Sequence, residues 1–177
     1  MNIKTLDDFS FKNKRVLVRV DLNSPVVNKK IKLSERLTEH SKTLKELSGK
    51  KAKVVVLAHQ GRPNEEDFLS LEQHAKLLNK YVKIKFVNDT LGKKAINAIK
   101  NLRSGEILLL ENIRFLKEEF KPSKENKIVK TLEHLFDIFV NDAFSVSHRS
   151  QTSIVGFKNL EKCAGRVMGQ ELKSLEK

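Results

Sequence analysis

Residues Val54–Pro63, with the sequence VVVLAHQGRP, indicate how this chain folds and where it binds a ligand. The stretch begins as an unbroken apolar run, which is typical of a strand buried on both faces of a parallel sheet. It then changes abruptly to polar residues, and Gly61 and Pro63 favour a turn. His59 and Arg62 are therefore expected at the carboxyl end of a core strand, the edge where ligands bind in open α/β sheets. The stretch predicts an anion-binding crevice.

The bulk composition is that of one globular domain. The chain has 177 residues, enough for one well-buried domain and short for two. No apolar run approaches the ~20 residues that span a bilayer, and Met1–Asp8 lacks the basic-then-apolar pattern of a signal peptide. A single cysteine, Cys163, excludes an internal disulfide framework and favours a reducing compartment. We expect a cytoplasmic, monomeric protein that does not bind membranes.

The formal net charge of +13 allows two interpretations. One is nucleic-acid binding, and the other is a solvated, lysine-rich surface. Most of the excess is lysine in scattered pairs such as Lys29–Lys30, Lys50–Lys51 and Lys93–Lys94. No arginine-rich block, zinc ligand set or aromatic-basic motif accompanies it, so a solubilising surface is favoured and no nucleic-acid partner is expected. The same field would speed the arrival of a phosphorylated small ligand.

Strand and helix patterns alternate along the chain about four times. The connections are long enough for right-handed crossovers between parallel strands. The pattern predicts an α/β fold with a doubly wound parallel sheet, a Rossmann-like three-layer sandwich with helices on both faces. The predicted strands are 15–20, 53–58, 84–87, 107–110 and 137–140, and a loop or short hairpin is expected over 26–32. Helices are predicted after Ser34, after a capping box of Ser70 and Gln73, over 90–102, and from Pro122–Ser123.

The end of the chain consists of a long polar stretch followed by a helical pattern. Residues 141–153 form a long polar stretch without helical or strand periodicity, as functional loops often do. Val167, Met168, Leu172 and Leu175 then recur at helical spacing, and no glycine or proline stop precedes the last residue. We interpret this as a helix that is cut in progress, with a second domain missing.

Polar side chains follow four of the predicted strands at their carboxyl ends, which share one edge of a parallel sheet. Arginines are concentrated there, and guanidinium groups bind phosphate and carboxylate bidentately, whereas lysine does not. The candidates are Asp21 and Asn23 after the first strand, Arg36 at the start of the next helix, His59 and Arg62, Glu111, Asn112 and Arg114, and Asn141, Asp142, His148 and Arg149.

Each of these residues alone has an ordinary structural explanation. His59 could be a structural histidine, Arg62 or Arg114 a surface ion-pair partner, and Asp21 or Asp142 a turn former or cap. Only their joint placement favours a site. Other site types are weak or absent: there is no GxGxxG, Walker A or His-Cys metal pattern and no nucleophile elbow. We interpret Cys163 as a small buried residue or a bystander.

Five segments together resemble the phosphoglycerate kinase family in order and spacing. The Ser-Gln-Thr-Ser sequence at 150–153 is more similar to archaeal members. The segments are VDLNSP at 20–25, resembling VDFNVP; HQGRP at 59–63, resembling SHLGRP; LENIRF at 110–115, resembling LENVRF; NDAFSVSHR at 141–149, resembling NDAFGxxHR; and AGRVMGQEL at 164–172, resembling AGxxMxxEL.

The resemblance covers only the N-terminal half of that family. It implies a phosphoglycerate-binding domain over residues 1–165 and the start of the interdomain helix over 166–177. It also implies reversible phosphoryl transfer between 1,3-bisphosphoglycerate and ADP, giving 3-phosphoglycerate and ATP in glycolysis and gluconeogenesis. The nucleotide half, which binds Mg-ATP or Mg-ADP, is absent, so this domain is expected to bind substrate without turnover and to hold no cofactor or metal. The alternatives are a non-catalytic phosphate-ligand module and a basic nucleic-acid-binding protein.

The resemblance also implies a role for each matching residue. Asp21 and Asn23 contact the glycerate, and Arg36 lies against the transferred group as the catalytic residue. The clamp on the non-transferred phosphate is His59, Arg62, Arg114 and Arg149. The reaction needs no protein nucleophile, because the substrate carboxylate attacks directly, which suits a site built of arginines.

Overall fold

The computed structural model describes residues 3–176, which surround a six-stranded sheet in the order β5-β6-β4-β1-β7-β8. Every neighbouring pair in this sheet is parallel. β2 and β3 form a separate antiparallel hairpin where a loop or hairpin was predicted. The strands are β1 Arg15–Arg19, β2 Val26–Val27, β3 Lys30–Ile31, β4 Lys53–Leu57, β5 Lys85–Phe86, β6 Ile107–Leu109, β7 Ile138–Asn141 and β8 Glu161–Ala164.

Six α-helices connect or flank these strands. None of the helices over residues 3–176 combines the length and apolar character needed to cross a membrane. The helices are α1 Glu35–Gly49, α2 Glu72–Leu78, α3 Lys93–Lys100, α4 Lys127–Leu132, α5 Thr152–Val155 and α6 Arg166–Leu175. Short 3-10 helices cover Leu6–Asp8, Ile113–Phe115, Lys117–Phe120, Glu133–Leu135 and Phe144–Val146.

The direction of travel across the sheet determines which face each helix covers. From β1 the chain moves through β4 to β5, and it then returns through β6 to β7 on the other side of β1. Right-handed crossovers in opposite directions place their helices on opposite faces. Accordingly, α1 and α2 pack into one apolar cluster, and α3 and α4 pack into a second. The predicted doubly wound α/β architecture is confirmed.

The apolar run of β4 is buried on both faces, as predicted. Val54 and Val56 join the cluster under α1 and α2, whereas Val55 and Leu57 join the cluster under α3 and α4. All four side chains are fully buried. Because each such burial stabilises the fold by roughly 1.5–3 kcal/mol, this strand is a major source of stability.

The predicted capping box at the start of α2 is wrong. The helix begins at Glu72, and Ser70 Oγ accepts from the N–H of Glu72 at 3.2 Å, but a distant carboxylate replaces Gln73 as the second partner, since Glu111 Oε1 accepts from the backbone N–H of Leu71 at 2.9 Å. Ser70 Oγ donates to Glu111 Oε2 at 2.7 Å. Gln73 instead holds the β2–β3 hairpin, where its side chain bonds Ile31 and Lys29. Partners that are distant in the sequence therefore replace the predicted pairing of Ser70 with Gln73.

Two helix starts and two further segments also differ from prediction. α4 begins at Lys127 rather than at Pro122, because Asn126 caps it by accepting from the N–H of Ile128 at 2.9 Å. α3 begins at Lys93, after a cap formed by Asp89. The stretch predicted to lack periodicity contains a 3-10 helix and the first residues of α5, and the edge strand β8 was not predicted.

Candidate functional site

A cleft of about 950 Å³ lies at the carboxyl edge of the sheet. It is formed where the chain leaves β1, β4, β6 and β7, and the N-terminal end of α1 closes one side. The structure brings all seven predicted site residues together in its lining, namely Asp21, Asn23, Arg36, His59, Arg62, Arg114 and Arg149.

One wall of the cleft is organised around the carboxylate of Asp21. Arg36 Nη1 donates to Asp21 Oδ2 at 2.7 Å, and Ser145 Oγ donates to the same oxygen. The backbone N–H of Asn23 donates to Asp21 Oδ1 at 3.0 Å. Asp21 is buried, whereas 49% of the Arg36 side chain is exposed. Asp21 therefore anchors the Arg36 guanidinium at Nη1, while about half of the Arg36 side chain stays open to the cleft.

A second part of the lining, the arginine wall, is formed by Arg62, Arg114 and Arg149. Arg114 Nη1 donates to the carbonyl of Gly61 at 2.9 Å, which fixes the guanidinium against the turn after β4. The Nε atoms of Arg114 and Arg149 are buried and donate to no acceptor among residues 3–176. Burial and the nearby Arg19 and Arg149 lower the pKa of Arg114 to about 10, which leaves it cationic at neutral pH. This wall therefore presents free, charged donors.

The turn that carries Arg62 requires glycine at position 61. Gly61 has φ +71°, and a Cβ there would lie 2.4 Å from the carbonyl oxygen of Asp67. Its N–H donates to Asn23 Oδ1 at 2.8 Å, so the turns after the neighbouring strands β1 and β4 are joined directly. Gly61, which the sequence marks as a turn residue, thus sets the position of Arg62 in the cleft lining.

His59 is buried at the base of the cleft and touches Arg19. Its Nδ1 lies 2.8 Å from Arg19 Nη2. Burial lowers the pKa of His59 well below its usual value, and the charges of Arg19, Arg114 and Arg149 lower it further. His59 is therefore neutral at neutral pH, and the positive charge of the cleft lining comes from its arginines and from Lys29.

Five of the polar residues that follow strands lie outside the cleft lining. One of them, Asn141, holds its own loop, where its Oδ1 accepts from the N–H of Ala143 at 3.1 Å. Glu111 caps α2, and Asn112 Nδ2 donates to the carbonyls of Gln60 and Leu69 at 2.8 and 2.9 Å. Asp142 is fully buried, where it pairs with His40 and caps α6. His148 is exposed and does not line the cleft. Residues that cap helices and residues that line the cleft both follow strands directly, so the sequence pattern alone does not distinguish the two groups.

Two features of the site were missed. Arg19 is fully buried next to His59, and its charge between the apolar residues Val18 and Val20 was the available signal. Glu65, Glu66 and Asp67 form an acidic rim that no strand pattern marks.

Across residues 3–176, no three His, Cys, Asp or Glu side chains are grouped so that they could hold a metal ion. Cys163 is buried as predicted, and burial raises the pKa of its thiol to about 12.

Comparison with known proteins gives one consistent result. The phosphoglycerate kinase family model matches residues 6–177. The phosphoglycerate kinase of Methanopyrus kandleri is 47% identical over 182 residues, which cover 99% of this chain and 45% of that relative. The enzyme of Saccharolobus solfataricus is 48% identical over 186 residues, covering 100% of this chain and 46% of the relative. The chain spans about half the length of these curated archaeal relatives.

Solved structures agree. The crystal structure of phosphoglycerate kinase from Pyrococcus horikoshii OT3 matches with a TM-score of 0.92 and 39% identity, over 98% of this chain and 45% of that one. The enzyme from Coxiella burnetii matches with a TM-score of 0.84 and 34% identity, over 99% and 44% of the two chains. Family model, relatives and structures all lead to the same conclusion: this chain belongs to the phosphoglycerate kinase family.

Proposed function

We propose that this chain is the phosphoglycerate-binding half of a phosphoglycerate kinase. Residues 1–165 bind 3-phosphoglycerate or 1,3-bisphosphoglycerate, and residues 166–177 begin the helix that leads to the nucleotide domain. Mg-ATP and Mg-ADP are assigned to the part of the relatives that this chain does not span. The complete protein transfers a phosphoryl group between 1,3-bisphosphoglycerate and ADP, and we expect it to be a cytoplasmic monomer.

The arginine wall is the observation that carries this proposal. Arg62, Arg114 and Arg149 line one side of the cleft together, and two of their buried Nε atoms bond to no acceptor among the described residues. Buried donors without partners are costly, and a phosphate group satisfies several of them at once. A dianionic phosphate is therefore the ligand group that best matches this wall.

The Asp21 wall supports the remaining roles. Asp21 and Asn23 offer oxygen acceptors and an amide donor suited to the hydroxyl and carboxylate end of glycerate. Arg36 is held by Asp21 but remains half exposed, so its charge is available to a phosphoryl group that arrives from the open side. Such a site acts by positioning and by stabilising charge, which is what phosphoryl transfer to a substrate carboxylate requires.

Calorimetry with 3-phosphoglycerate tests this proposal. The folded 177-residue chain, at low salt, is expected to bind weakly and to release or absorb heat at millimolar ligand. Arg149→Ala should strongly reduce the heat, because it removes one of the three arginines of the wall. Arg103→Ala is the matched control, since Arg103 is exposed and lies outside the cleft lining. No heat from the folded, unmodified chain would refute the proposal.

A further inference from the structure

Arg19 is a fully buried guanidinium with a defined partner for each of its nitrogens. It lies near the carboxyl end of β1, between β4 and β7 at the centre of the sheet. Its Nε donates to Ser153 Oγ at 2.8 Å, and Nη1 donates to the carbonyl of Val20. Its Nη2 lies 2.8 Å from His59 Nδ1. A charge is costly at this depth unless it is fully partnered.

Glu119 compensates the charge of Arg19 through Ser153. Its Oε1 accepts from the N–H of Ser153, and its Oε2 accepts from the Ser153 hydroxyl, both at 2.6 Å. The hydroxyl in turn accepts from Arg19 Nε. Glu119, which is buried and opposite in charge, therefore holds the Arg19 guanidinium through Ser153. The fold thus determines how the guanidinium is oriented toward His59.

The contact between Arg19 and His59 specifies where the imidazole carries its hydrogen. Arginine has donors only, so His59 Nδ1 must accept from Arg19 Nη2, and the neutral ring must carry its hydrogen on Nε2. The charges that act most strongly on this ring are the cations Arg19, Arg114, Arg149 and Arg36, and the nearby anion Asp21 is paired with Arg36. These cations favour the neutral form of the His59 ring, and none of them can accept a hydrogen bond from it.

We propose that Arg19 is a positioning residue that holds His59 as the Nε2–H tautomer, so that His59 acts as a neutral hydrogen-bond donor to the phosphate in the cleft. The identity of that phosphate rests on the function proposed above, whereas the tautomer does not. The arrangement lets His59 contribute a directed hydrogen bond beside the arginine wall without adding another charge at a buried position.

Nitrogen-15 spectra of the imidazole rings test the proposal on the unmodified chain without ligand. His59→Gln identifies the His59 signals, and the buried His74, which bonds Gln60 rather than an arginine, is an internal control. His59 should show an accepting Nδ1 and a protonated Nε2 across neutral pH. A proton on Nδ1, or a doubly protonated ring at pH 7, would overturn the proposal.

Two variants then separate position from charge. Arg19→Lys keeps the charge but cannot serve Ser153, Val20 and His59 together, and Arg19→Met with Glu119→Gln removes both buried charges. In each, the His59 signals should become those of mixed tautomers, the His74 signals should stay unchanged, and 3-phosphoglycerate affinity should fall about tenfold. Unchanged His59 signals, or affinity retained within about twofold, would refute the role of Arg19. Failure of the unmodified chain to bind would instead refute the proposed function.

Discussion

The arginines of the cleft differ in how firmly they are held, and this difference separates two roles. Arg114 is buried and fixed to the Gly61 carbonyl, so it is organised before any ligand arrives. Arg36 has one anchor, the carboxylate of Asp21, and about half of its side chain is exposed. Arg36 is therefore oriented by Asp21, while its exposed part is available to a phosphoryl group on the open side of the cleft.

Arg36→Ala should reduce turnover in a complete enzyme carrying this chain by ~100-fold or more, with a much smaller loss of 3-phosphoglycerate affinity. The reason is that its contact strengthens only as the phosphoryl group transfers. Steady-state kinetics and calorimetry measure the two effects. Lys42→Ala, on the exposed side of the same helix, is the control variant. In the same assay, the 177-residue chain alone is expected to form no ATP. Equal losses of turnover and affinity would contradict the role.

Among the elements, α6 has the most specific attachment to the site. Asp142 Oδ1 accepts from the N–H groups of Val167 and Met168 at 2.9 and 3.3 Å. The other oxygen accepts from His40 Nδ1 at 2.9 Å, and His40 Nε2 accepts from the N–H of Asp21. A buried path of hydrogen bonds therefore connects the start of α6 with the wall of the cleft.

Asp142→Ala should lower the free energy of unfolding by roughly 2–4 kcal/mol, because it uncaps α6 and leaves His40 buried without an acceptor. Urea unfolding followed by circular dichroism measures the loss. Ser174→Ala, in the same helix but exposed, should change stability by less than about 0.5 kcal/mol. A loss from Asp142→Ala as small as that of the control would show that the cap contributes little.

The elements that apolar patterns define were predicted well, and those defined by distant partners were not. The buried strands β1, β4, β6 and β7 follow from runs of Val, Ile and Leu, whose burial dominates the local choice. β8 was missed because Glu161 and Lys162 are exposed on an edge strand. The cap of α2 was missed because its acceptor, Glu111, lies 40 residues away from Leu71. Likewise, the sequence placed the clamp arginines at one edge but contained no sign that Arg19 supports His59.

For the molecule as a whole, buried neutral histidines connect stability to pH. His74 is fully buried and donates from Nε2 to Gln60 at 2.9 Å. Burial lowers its pKa to about 4, whereas an unfolded histidine titrates near 6.5. Between these values the unfolded chain binds more protons than the folded one, so stability falls as the pH drops from about 6.5 to 4 and changes little below that from this residue.

Replacing His74 should therefore flatten the pH dependence of stability. The residue accounts for at most about 3 kcal/mol of the loss between pH 7 and 4. His74→Gln keeps a donor for Gln60 but does not titrate, and urea unfolding across this pH range measures the change in slope. His134→Gln, at an exposed position, should leave the slope unchanged. An unaltered slope in His74→Gln would show that His74 does not contribute.

A crystal structure of this chain with 3-phosphoglycerate tests the proposed site most directly. The ligand phosphate should lie against Arg62, Arg114 and Arg149 with His59 Nε2 donating to it, and the glycerate end should contact Asp21 and Asn23. The carboxylate should point toward Arg36 and the open side of the cleft. A phosphate bound elsewhere on the surface, or a ligand reversed so that its carboxylate occupies the arginine wall, would contradict the assignment.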